Sequence, residues 1–303
     1  MQLPRLSVGM PVYNGENFIA AAIDSVLSQD LVDFELIISD NGSTDRTEEI
    51  CKHYAAGDSR VRYYRSNTNH GGAWNFNRVF ALSTASLFKW QAHDDICLPG
   101  FFRKCVELME HAPQSVVVVY PKTVVTDESG HVLSAYFPER LETRRAKPHQ
   151  RLVDVLRNAT MVSAQFGIIR REALRQTRMF SPMIAADFVL IAELALLGEI
   201  WELDEVLFQR RIHSRISTRA NSNNHQLLQW WDPGQRHYRW RVSPMMLIGW
   251  EIVRSVRRLS LLPSDRFLCS AAALWTWYHR EFRNLGGRCK ARLRRQFLAQ
   301  PAQ

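Results

Sequence analysis

Cysteine is scarce in this 303-residue sequence and lacks the spacing of a cross-link or a zinc site. The five cysteines are an odd number, and no two of them form a Cys-x-x-Cys pair. They are Cys51, Cys97, Cys105, Cys269 and Cys289. This pattern argues against a disulfide framework and against a structural zinc site, and it suits a reducing cytoplasm.

Long apolar runs and the common nucleotide fingerprints are also missing. No stretch of about 18 uncharged apolar residues is present, so no segment is expected to cross a membrane as a helix. The opening "MQLPRLSVGMPVYNG" lacks the basic and apolar parts of a leader, so no signal peptide is expected. Neither GxGxxG nor a P-loop follows the first predicted strand, which disfavours a dehydrogenase and a P-loop ATPase.

Acidic residues are few at the C-terminal end. Residues 236–303 contain 14 Lys and Arg against three Asp and Glu, a balance of +11, whereas the whole chain carries +9. The remaining residues therefore carry −2. A basic tail on a nearly neutral body predicts an anionic partner, either lipid headgroups or nucleic acid.

With 46% hydrophobic and 23% charged residues, the chain has the composition of a globular protein with a sizeable core.

The first hundred residues alternate between short apolar strands and helices. The predicted strands cover residues 6–13, 34–40, 60–66 and 86–92. This alternation predicts an α/β fold with a mostly parallel sheet, in which ligands bind beyond the carboxyl ends of the strands. Polar residues follow all four strands, namely Asn14, Asp40, Asn67 with Asn69, and Asp94 with Asp95. Four loops therefore deliver polar groups to one edge of the sheet.

Two interpretations of the Asp94–Asp95 pair are open. Aspartate is common in turns, because its side chain bonds to nearby backbone groups. Adjacent carboxylates at a strand end also suit Mg²⁺ or Mn²⁺, which binds through one or two carboxylates and substrate phosphates.

Farther along, the apolar segment 183–203 is predicted to be a helix that carries Asp187. Segment 206–217 is predicted to be a strand with His213 near its end.

Four segments in this order resemble the family 2 glycosyltransferases, which have the GT-A fold. They are "PVYNGENFIAAAIDSVLSQ", "LIISDNGSTDRT", "NHGGAWNFNRVF" and "HDD". The resemblance covers residues 5–215 and implies a GT-A nucleotide-binding sandwich over residues 1–215. Its nucleotide-binding half would span about 1–120 and its acceptor half about 121–215. Residues 216–303 would form a helical, basic C-terminal extension.

The resemblance also implies roles for individual residues. The donor would be bound by Pro11, Tyr13, Asn14, Glu16, Asp40, Asn69, Gly71, Asn77 and Asp95, with Asp40 at the base. Mg²⁺ or Mn²⁺ would be held by Asp94, Asp95 and His213, and Asp187 would be the catalytic base. The chain departs from the family pattern at four positions. Ala92 and Ala186 replace acidic residues, Phe76 replaces an arginine, and Asn41 stands where a second aspartate is frequent.

The implied reaction is an inverting hexosyl transfer from a nucleoside diphosphate sugar, with UDP or dTDP favoured. The implied acceptor is a glycan or a lipid-linked hydroxyl in cell-envelope polysaccharide or glycolipid synthesis. Alternatives are a sugar nucleotidyltransferase, a non-catalytic sugar-nucleotide binder and a nucleic-acid-binding protein. The Gly-rich opening loop of sugar nucleotidyltransferases is missing from this sequence. Retention of Asp187 disfavours a non-catalytic binder, and no nucleic-acid-binding motif is present.

The C-terminal extension is predicted to contain two amphipathic helices. Met245, Ile248, Gly249, Ile252, Val256 and Leu259 fall on one face of the first, and Trp275, Trp277 and Tyr278 end the second. Two interpretations stay open, namely a helical cap on the catalytic domain and an interfacial segment on an anionic membrane. The expected location is cytoplasmic, with peripheral attachment to the inner face of the plasma membrane under the second interpretation.

Overall fold

Residues 6–90 form a parallel sheet covered by helices. A computed structural model describes residues 3–134, 139–216, 220–221, 223–234 and 244–279. The N-terminal part of the sheet and its helices are β1 (Leu6–Val12), α1 (Ile19–Leu27), β2 (Phe34–Asp40), α2 (Thr47–Gly57), β3 (Val61–Arg65), α3 (Gly72–Leu82) and β4 (Leu87–Trp90). The four strands pair in parallel in the order β3-β2-β1-β4. The four predicted strands are therefore confirmed.

Burial explains why these strands lie at the centre. All seven residues of β1 and all seven of β2 are buried, which is typical of parallel strands with helices on both faces. The carboxyl ends of β1, β2 and β4 consequently meet at one edge of the sheet.

The second half extends the same sheet with mixed strand directions. It comprises β5 (Ile96–Cys97), α4 (Phe101–His111), β6 (Val116–Thr126), β7 (Val132–Ser134), α5 (Pro148–Asn158), the 3₁₀ turn η1 (Ser163–Phe166), β8 (Ile168–Arg170), α6 (Arg171–Gln176), α7 (Ala186–Leu197) and β9 (Glu199–Arg211). The order β3-β2-β1-β4-β8-β6-β9-β5 describes the sheet, with β7 added beside β6. Strand β8 runs antiparallel to both of its neighbours, whereas β6 and β9 are parallel.

The sequence prediction is wrong at the boundary between α7 and β9. Residues 198–203 were expected to continue the helix, but the helix ends at Leu197 and the strand begins at Glu199. The segment pairs with β6, where Ile200 is fully buried. A side chain at Gly198 would clash with the carbonyl of Ser115 and the side chain of Val117, where β6 begins. Gly198 therefore permits the close approach that turns the chain from helix to strand.

Three helices of eight or more residues follow β9 in the part of the chain that the structure describes. They are α8 (Asn224–Trp231), α9 (Pro244–Arg258) and α10 (residues 263–279). Ile248, Ile252 and Val256 are buried on the face that the sequence predicts. No helix within the described ranges is long and apolar enough to cross a bilayer.

A buried carboxylate also joins α9 to α7. Glu193 of α7 is fully buried and contacts Arg178, Arg258 and Ser255. A buried charge is tolerated when it is paired and hydrogen-bonded in this way. Helix α9 is therefore packed against the body.

Candidate active site

A cavity of about 680 Å³ lies beyond the carboxyl ends of β1, β2 and β4. The loops after these strands form one part of its wall, and η1, the start of α7 and the end of β9 form another part. Helix α8 contributes Trp230 and Trp231. The position agrees with the general rule that ligands of open α/β sheets bind beyond the strand ends.

Strand pairing brings together three of the predicted site residues. Antiparallel pairing aligns Ile96 with Gln209 and so carries the end of β9 past the Asp94–Asp95 turn. His213 Nε2 then lies 2.8 Å from Asp94 Oδ2. The backbone N–H of Arg211 donates to Asp95 Oδ1 at 2.9 Å.

A buried lysine and an amide hold this turn from below. Lys89 is fully buried, and its Nζ donates to the Trp90 carbonyl and to Gln91 Oε1, both at 2.9 Å. Gln91 Nε2 donates in turn to the carbonyl of Asp95 at 2.8 Å. Burial lowers the pKa of Lys89. The network fixes the backbone on which both carboxylates stand.

The two adjacent carboxylates have opposite pKa shifts. Burial and then the negative charge of Asp94 raise the pKa of Asp95. Burial alone would also raise the pKa of Asp94, but the charge of His93 and the hydrogen bond with His213 outweigh it and lower the pKa. Asp94 is therefore the more strongly anionic member of the pair.

The donor atoms of Asp94 and His213 suit a divalent cation whose other ligands come from a substrate and from water. Asp94 Oδ2 and His213 Nε2 lie 2.8 Å apart, close enough to reach one ion, and both residues line the cavity. His213 Nδ1 accepts from the N–H of Arg215 at 3.2 Å, so Nε2 would have to lose its proton, and Nδ1 this bond, before His213 could bind a metal through Nε2. Within the described ranges, no group of three or more His, Cys, Asp and Glu side chains is placed to hold a metal. Two protein ligands suit Mg²⁺ or Mn²⁺, whose remaining positions water and phosphate oxygens can fill. The expected contribution of Asp95 as a third ligand stays a prediction.

Asp187 faces the same cavity from the first turn of α7. Its Oδ1 accepts a hydrogen bond from the backbone N–H of Phe188 at 2.8 Å. Burial raises its pKa, although that N–H and the charge of Arg210 act in the opposite direction. A carboxylate with a raised pKa is a better proton acceptor, as a general base requires.

Backbone strain is concentrated around this cavity. The structure describes four non-glycine residues with positive φ, and Asn14, Val162 and Ala185 among them line the cavity. Such conformations cost about 1–3 kcal/mol each and persist only where the surroundings impose them. Ala185 immediately precedes α7, so its conformation sets the direction from which Asp187 enters.

The predicted donor residues divide into two groups. Pro11, Tyr13, Asn14 and Asn69 line the cavity, together with Asp94, Asp95, Asp187 and His213. Asn14 Oδ1 accepts from the N–H of Thr44 at 2.9 Å, and Asn69 Oδ1 accepts from Asn41 Nδ2 at 2.9 Å. These bonds link the loops after β1, β2 and β3 into one surface.

The other predicted donor residues support the wall from behind. Asp40 is fully buried, and its oxygens accept from the Ser43 N–H at 2.8 Å and the Tyr63 hydroxyl at 2.7 Å. Glu16 accepts from the N–H of Arg46 at 3.1 Å. Asn77 exchanges two hydrogen bonds with the backbone of Phe180, at 2.9 and 3.0 Å. Gly71 precedes α3 with φ +89°. Direct donor contact by these four residues stays a prediction.

Helix α8 packs on the glycine pair that opens α3, which the sequence analysis did not anticipate. A side chain at Gly71 would clash with the carbonyl of Trp231, and one at Gly72 would come within 2.6 Å of the Trp230 ring. The ring of Trp231 also stacks on Phe180 with 5.8 Å between centroids. The adjacent glycines were the signal for this close approach.

Gly71→Ala should lower the free energy of unfolding by at least about 2 kcal/mol, through backbone strain and displacement of α8. The matched control is Gly130→Ala, because Gly130 has φ +88° but nothing within 4 Å of the added methyl group. The control should cost about 1 kcal/mol from the backbone alone. Chemical denaturation followed by tryptophan fluorescence measures both changes. Equal losses in the two variants would contradict the packing of α8 on Gly71.

Comparisons with known proteins agree with this arrangement. The model of the family described as "Glycosyl transferase family 2" matches residues 7–178. An uncharacterized glycosyltransferase of Rickettsia typhi is 31% identical over 137 residues, which cover 45% of this chain and 42% of that protein. The putative glycosyltransferase EpsE of Bacillus subtilis is 36% identical over 128 residues, covering 42% of this chain and 46% of EpsE. The chain thus matches less than half the length of these relatives.

Solved structures are similar over most of the chain. Residues 1–349 of S. aureus TarS in complex with UDP-GlcNAc match with a TM-score of 0.64 and 17% identity, covering 91% of this chain and 73% of that one. A mannosyltransferase of Pyrobaculum calidifontis, in complex with GDP-Man and Mn²⁺, matches with a TM-score of 0.52 and 15% identity, covering 90% and 81%. These likenesses establish the GT-A fold, and the family match covers more than half of the sequence. The chain therefore belongs to glycosyltransferase family 2.

Proposed function

We propose that this protein transfers a hexosyl group from a nucleoside diphosphate sugar to an acceptor hydroxyl, with inversion at the anomeric carbon. The observation that carries the proposal is the placement of Asp187 and the Asp94–His213 pair in one cavity. The cavity thereby combines a candidate base with a candidate site for a diphosphate-bound cation. The base would activate the acceptor hydroxyl and the cation would stabilise the departing diphosphate, and both effects lower the barrier of a single displacement at a sugar carbon.

The donor nucleotide would lie against the linked loops after β1, β2 and β3. Tyr13, Asn14 and Asn69 line this part of the cavity. The similar structures named above were solved with UDP-GlcNAc or GDP-Man, which supports a nucleotide-sugar donor. We favour UDP or dTDP, because a carboxylate at Asp40 can accept the ring N–H of uracil or thymine. Asp40 is fully buried and bonded to both the Ser43 N–H and the Tyr63 hydroxyl, so base recognition there requires a movement that exposes its carboxylate as well as exchange of the Tyr63 bond.

Asp94 and His213 would hold Mg²⁺ or Mn²⁺, with Asp95 beside them. The cation, when bound, neutralises the charge that develops on the departing diphosphate. Neighbouring groups of the protein hold the two carboxylates in position. Lys89 and Gln91 fix the turn below the carboxylates, and the backbone N–H of Arg211 holds Asp95.

Asp187 would accept the proton of the attacking acceptor hydroxyl. The hydroxyl oxygen forms the new bond to the anomeric carbon while the bond from that carbon to the diphosphate oxygen breaks. The bonding electrons leave with the nucleoside diphosphate. Burial raises the pKa of Asp187, which makes its carboxylate a stronger proton acceptor.

A thermal-shift screen tests the donor assignment. UDP, dTDP and GDP sugars are added to the protein with and without Mn²⁺, since a ligand of the folded state raises apparent stability by mass action. We expect a shift with a UDP or dTDP sugar that increases with Mn²⁺. If none of these nucleotide sugars changes the melting temperature at millimolar concentration, the proposed function is wrong.

We further propose that α10 attaches the protein to an anionic membrane, the inner face of the plasma membrane in the cell. One face of α10 is buried through Cys269, Ala273 and Trp277. Its opposite face carries large exposed apolar side chains at helical spacing, with exposed fractions of 59–74%. They are Phe267, Leu274, Trp275 and Tyr278. Trp277, the third aromatic residue of the predicted cluster, packs on Gly249 and is not exposed to lipid.

The positive charge of the C-terminal extension supports lipid as the partner of this apolar face. Arg254 is largely exposed and lies over the ring of Trp250, which is itself 58% exposed on α9. The strongly basic segment 286–296 lies outside the described residues. Apolar and aromatic side chains beside arginines are typical of interfacial helices on anionic bilayers. A membrane-bound enzyme would reach a lipid-linked acceptor, consistent with a role in envelope polysaccharide or glycolipid synthesis.

Substitutions on the exposed face test the membrane proposal without disturbing the packed face of the helix. Leu274→Ser with Trp275→Ser should weaken co-sedimentation with vesicles rich in phosphatidylglycerol by at least about tenfold. Val32→Ser, at a 76% exposed valine remote from α10, serves as the control. Binding of the parent protein should also fall as salt is raised. Vesicle binding that is absent at low salt, or unchanged in the double variant, would contradict the proposal.

A further inference from the structure

The loop that leads into η1 is held by one buried carboxylate. Glu139 is 4% exposed, and its oxygens accept from the backbone N–H groups of Thr160 at 2.6 Å, Val162 at 2.7 Å and Ser163 at 2.8 Å. Charge-assisted hydrogen bonds of this kind are stronger than neutral ones. The loop from 160 to 166 is therefore preorganised by its contact with Glu139.

Val162 of this loop has φ +55°, which is a strained conformation for a β-branched residue. Strain of this kind persists only when the surroundings impose it, and here the N–H of Val162 is bonded to Glu139. The strain places Met161, Val162 and Phe166 on the cavity wall. A loop held against its own preference beside a candidate base indicates a binding surface.

Gln165 is the unexplained polar group of this wall. Its side chain lines the cavity and is only 5% exposed, yet its Oε1 has no hydrogen-bond partner among the residues that the structure describes. A buried amide oxygen without a hydrogen-bond partner is destabilising. A ligand hydroxyl would remove this cost, because it can both donate and accept and so can satisfy the amide in either orientation.

The surroundings of Gln165 indicate the chemistry of that ligand. Asp187 and Arg210 line this side of the cavity, and the Arg210 guanidinium donates to the Met161 carbonyl at 2.7 Å. Arg210 is thus engaged by the loop itself, and the carboxylate of Asp187 would repel an anionic group placed beside it. The remaining wall is apolar at Phe166 and Phe188. An apolar wall with one neutral amide suits the C–H faces and hydroxyls of an uncharged sugar.

We propose that the Glu139-held loop is the acceptor subsite, and that Gln165 recognises a hydroxyl of a neutral sugar acceptor adjacent to the hydroxyl that Asp187 activates. The inference rests on the proposed function and adds a specificity-determining residue to it. Glu139 is then a positioning residue that acts through the loop. Neither residue belongs to a motif by which the family resemblance is recognised.

Gln165→Met tests the role of the amide with little change of shape. Methyl glycosides of glucose, galactose and N-acetylglucosamine serve as acceptor probes, with the nucleotide sugar that gives the largest thermal shift as donor. For the best probe, KM should rise about 3- to 10-fold, which corresponds to the loss of one neutral hydrogen bond. The donor dissociation constant, measured by calorimetry, should stay within twofold, which is about 0.4 kcal/mol.

Stability and a matched substitution separate recognition from a structural role. Because Oε1 is unpaired, Gln165→Met should leave the melting temperature unchanged or raise it. Gln176→Met, the same change at an exposed glutamine of α6, should alter neither KM nor stability.

Four outcomes would count against these proposals. An unchanged acceptor KM in Gln165→Met, or a fall in stability equal to the loss of affinity, would overturn the inference. Donor turnover in water that no methyl glycoside accelerates would also overturn it, because the subsite would then not accept a neutral sugar. Absence of donor binding in the parent protein would contradict the proposed function itself.

Discussion

Asp187→Asn is expected to lower the rate of sugar transfer by about 10²- to 10⁴-fold, while donor binding is retained. Asparagine has nearly the same shape, but it cannot accept the proton of the acceptor hydroxyl. Donor affinity should persist, because Tyr13, Asn14 and Asn69 line a different part of the cavity. Calorimetry with the nucleotide and a transfer assay with the same protein sample measure the two quantities together.

The pH dependence of the parent enzyme provides a second test of Asp187. Burial raises the pKa of this carboxyl, and the base acts only in its deprotonated form. Activity should therefore fall as the pH is lowered through a pKa above that of an ordinary aspartate. The asparagine variant should lose the contribution of Asp187 to this dependence, whereas that of Asp95, whose pKa burial and the charge of Asp94 raise to about 7, should be the same in both proteins. Glu172→Gln, an acid-to-amide change in the first turn of α6, is the control and should be neutral. Loss of nucleotide binding together with activity would indicate a structural role for Asp187 instead.

Asp94→Ala is expected to reduce Mg²⁺- or Mn²⁺-dependent transfer by at least about 100-fold, with the fold intact. Removal of a ligand should cost at least as much as the loss of a residue that only orients one, for which 10- to 100-fold is usual. The change also leaves His213 without its partner at 2.8 Å. Electron paramagnetic resonance of added Mn²⁺ gives a readout that is independent of turnover, and circular dichroism checks the fold.

Asp30→Ala is a matched control for Asp94→Ala. Asp30 is an exposed aspartate that pairs with Arg103 far from the cavity, and its loss should change neither Mn²⁺ binding nor transfer. If Asp94→Ala keeps parental turnover and parental Mn²⁺ affinity, the assignment of the metal site is wrong.

The parts of the fold that local patterns encode could be predicted. The strands β1 to β4 are short apolar runs bounded by polar loops, and their parallel direction, though not their order in the sheet, follows from their alternation with helices. The meeting of Asn14, Asn69 and Asp94 at one edge follows from the same geometry. Segment 198–203 was mistaken for helix because an apolar run fits both periods, and only its pairing with β6 decides between them.

Contacts between distant segments could not be derived from local patterns. The three amides that bond Glu139 follow it by more than 20 residues, and no periodicity connects them. The approach of α8 to Gly71 similarly depends on a packing partner 160 residues away, although the glycine itself was visible. His213 beside Asp94 was anticipated only through the family resemblance, since a histidine at a strand end has no local signature. The strained conformations of Val162 and Ala185 are imposed by tertiary contacts and run against the local preference of these residues.

The central claim is that the cavity transfers a sugar by breaking the bond between the anomeric carbon and the diphosphate oxygen. Phosphorus-31 NMR of the parent protein with Mg²⁺, a neutral sugar acceptor and a nucleotide sugar labelled with oxygen-18 between the anomeric carbon and the β-phosphorus tests this claim most directly, because the label stays on the nucleoside diphosphate only if the carbon–oxygen bond breaks. We predict the appearance of nucleoside diphosphate in the parent protein and its near absence in Asp187→Asn. Release of nucleoside monophosphate and sugar phosphate, or formation of nucleoside triphosphate when pyrophosphate is added, would contradict the account, because either product requires reaction at phosphorus rather than at the sugar carbon.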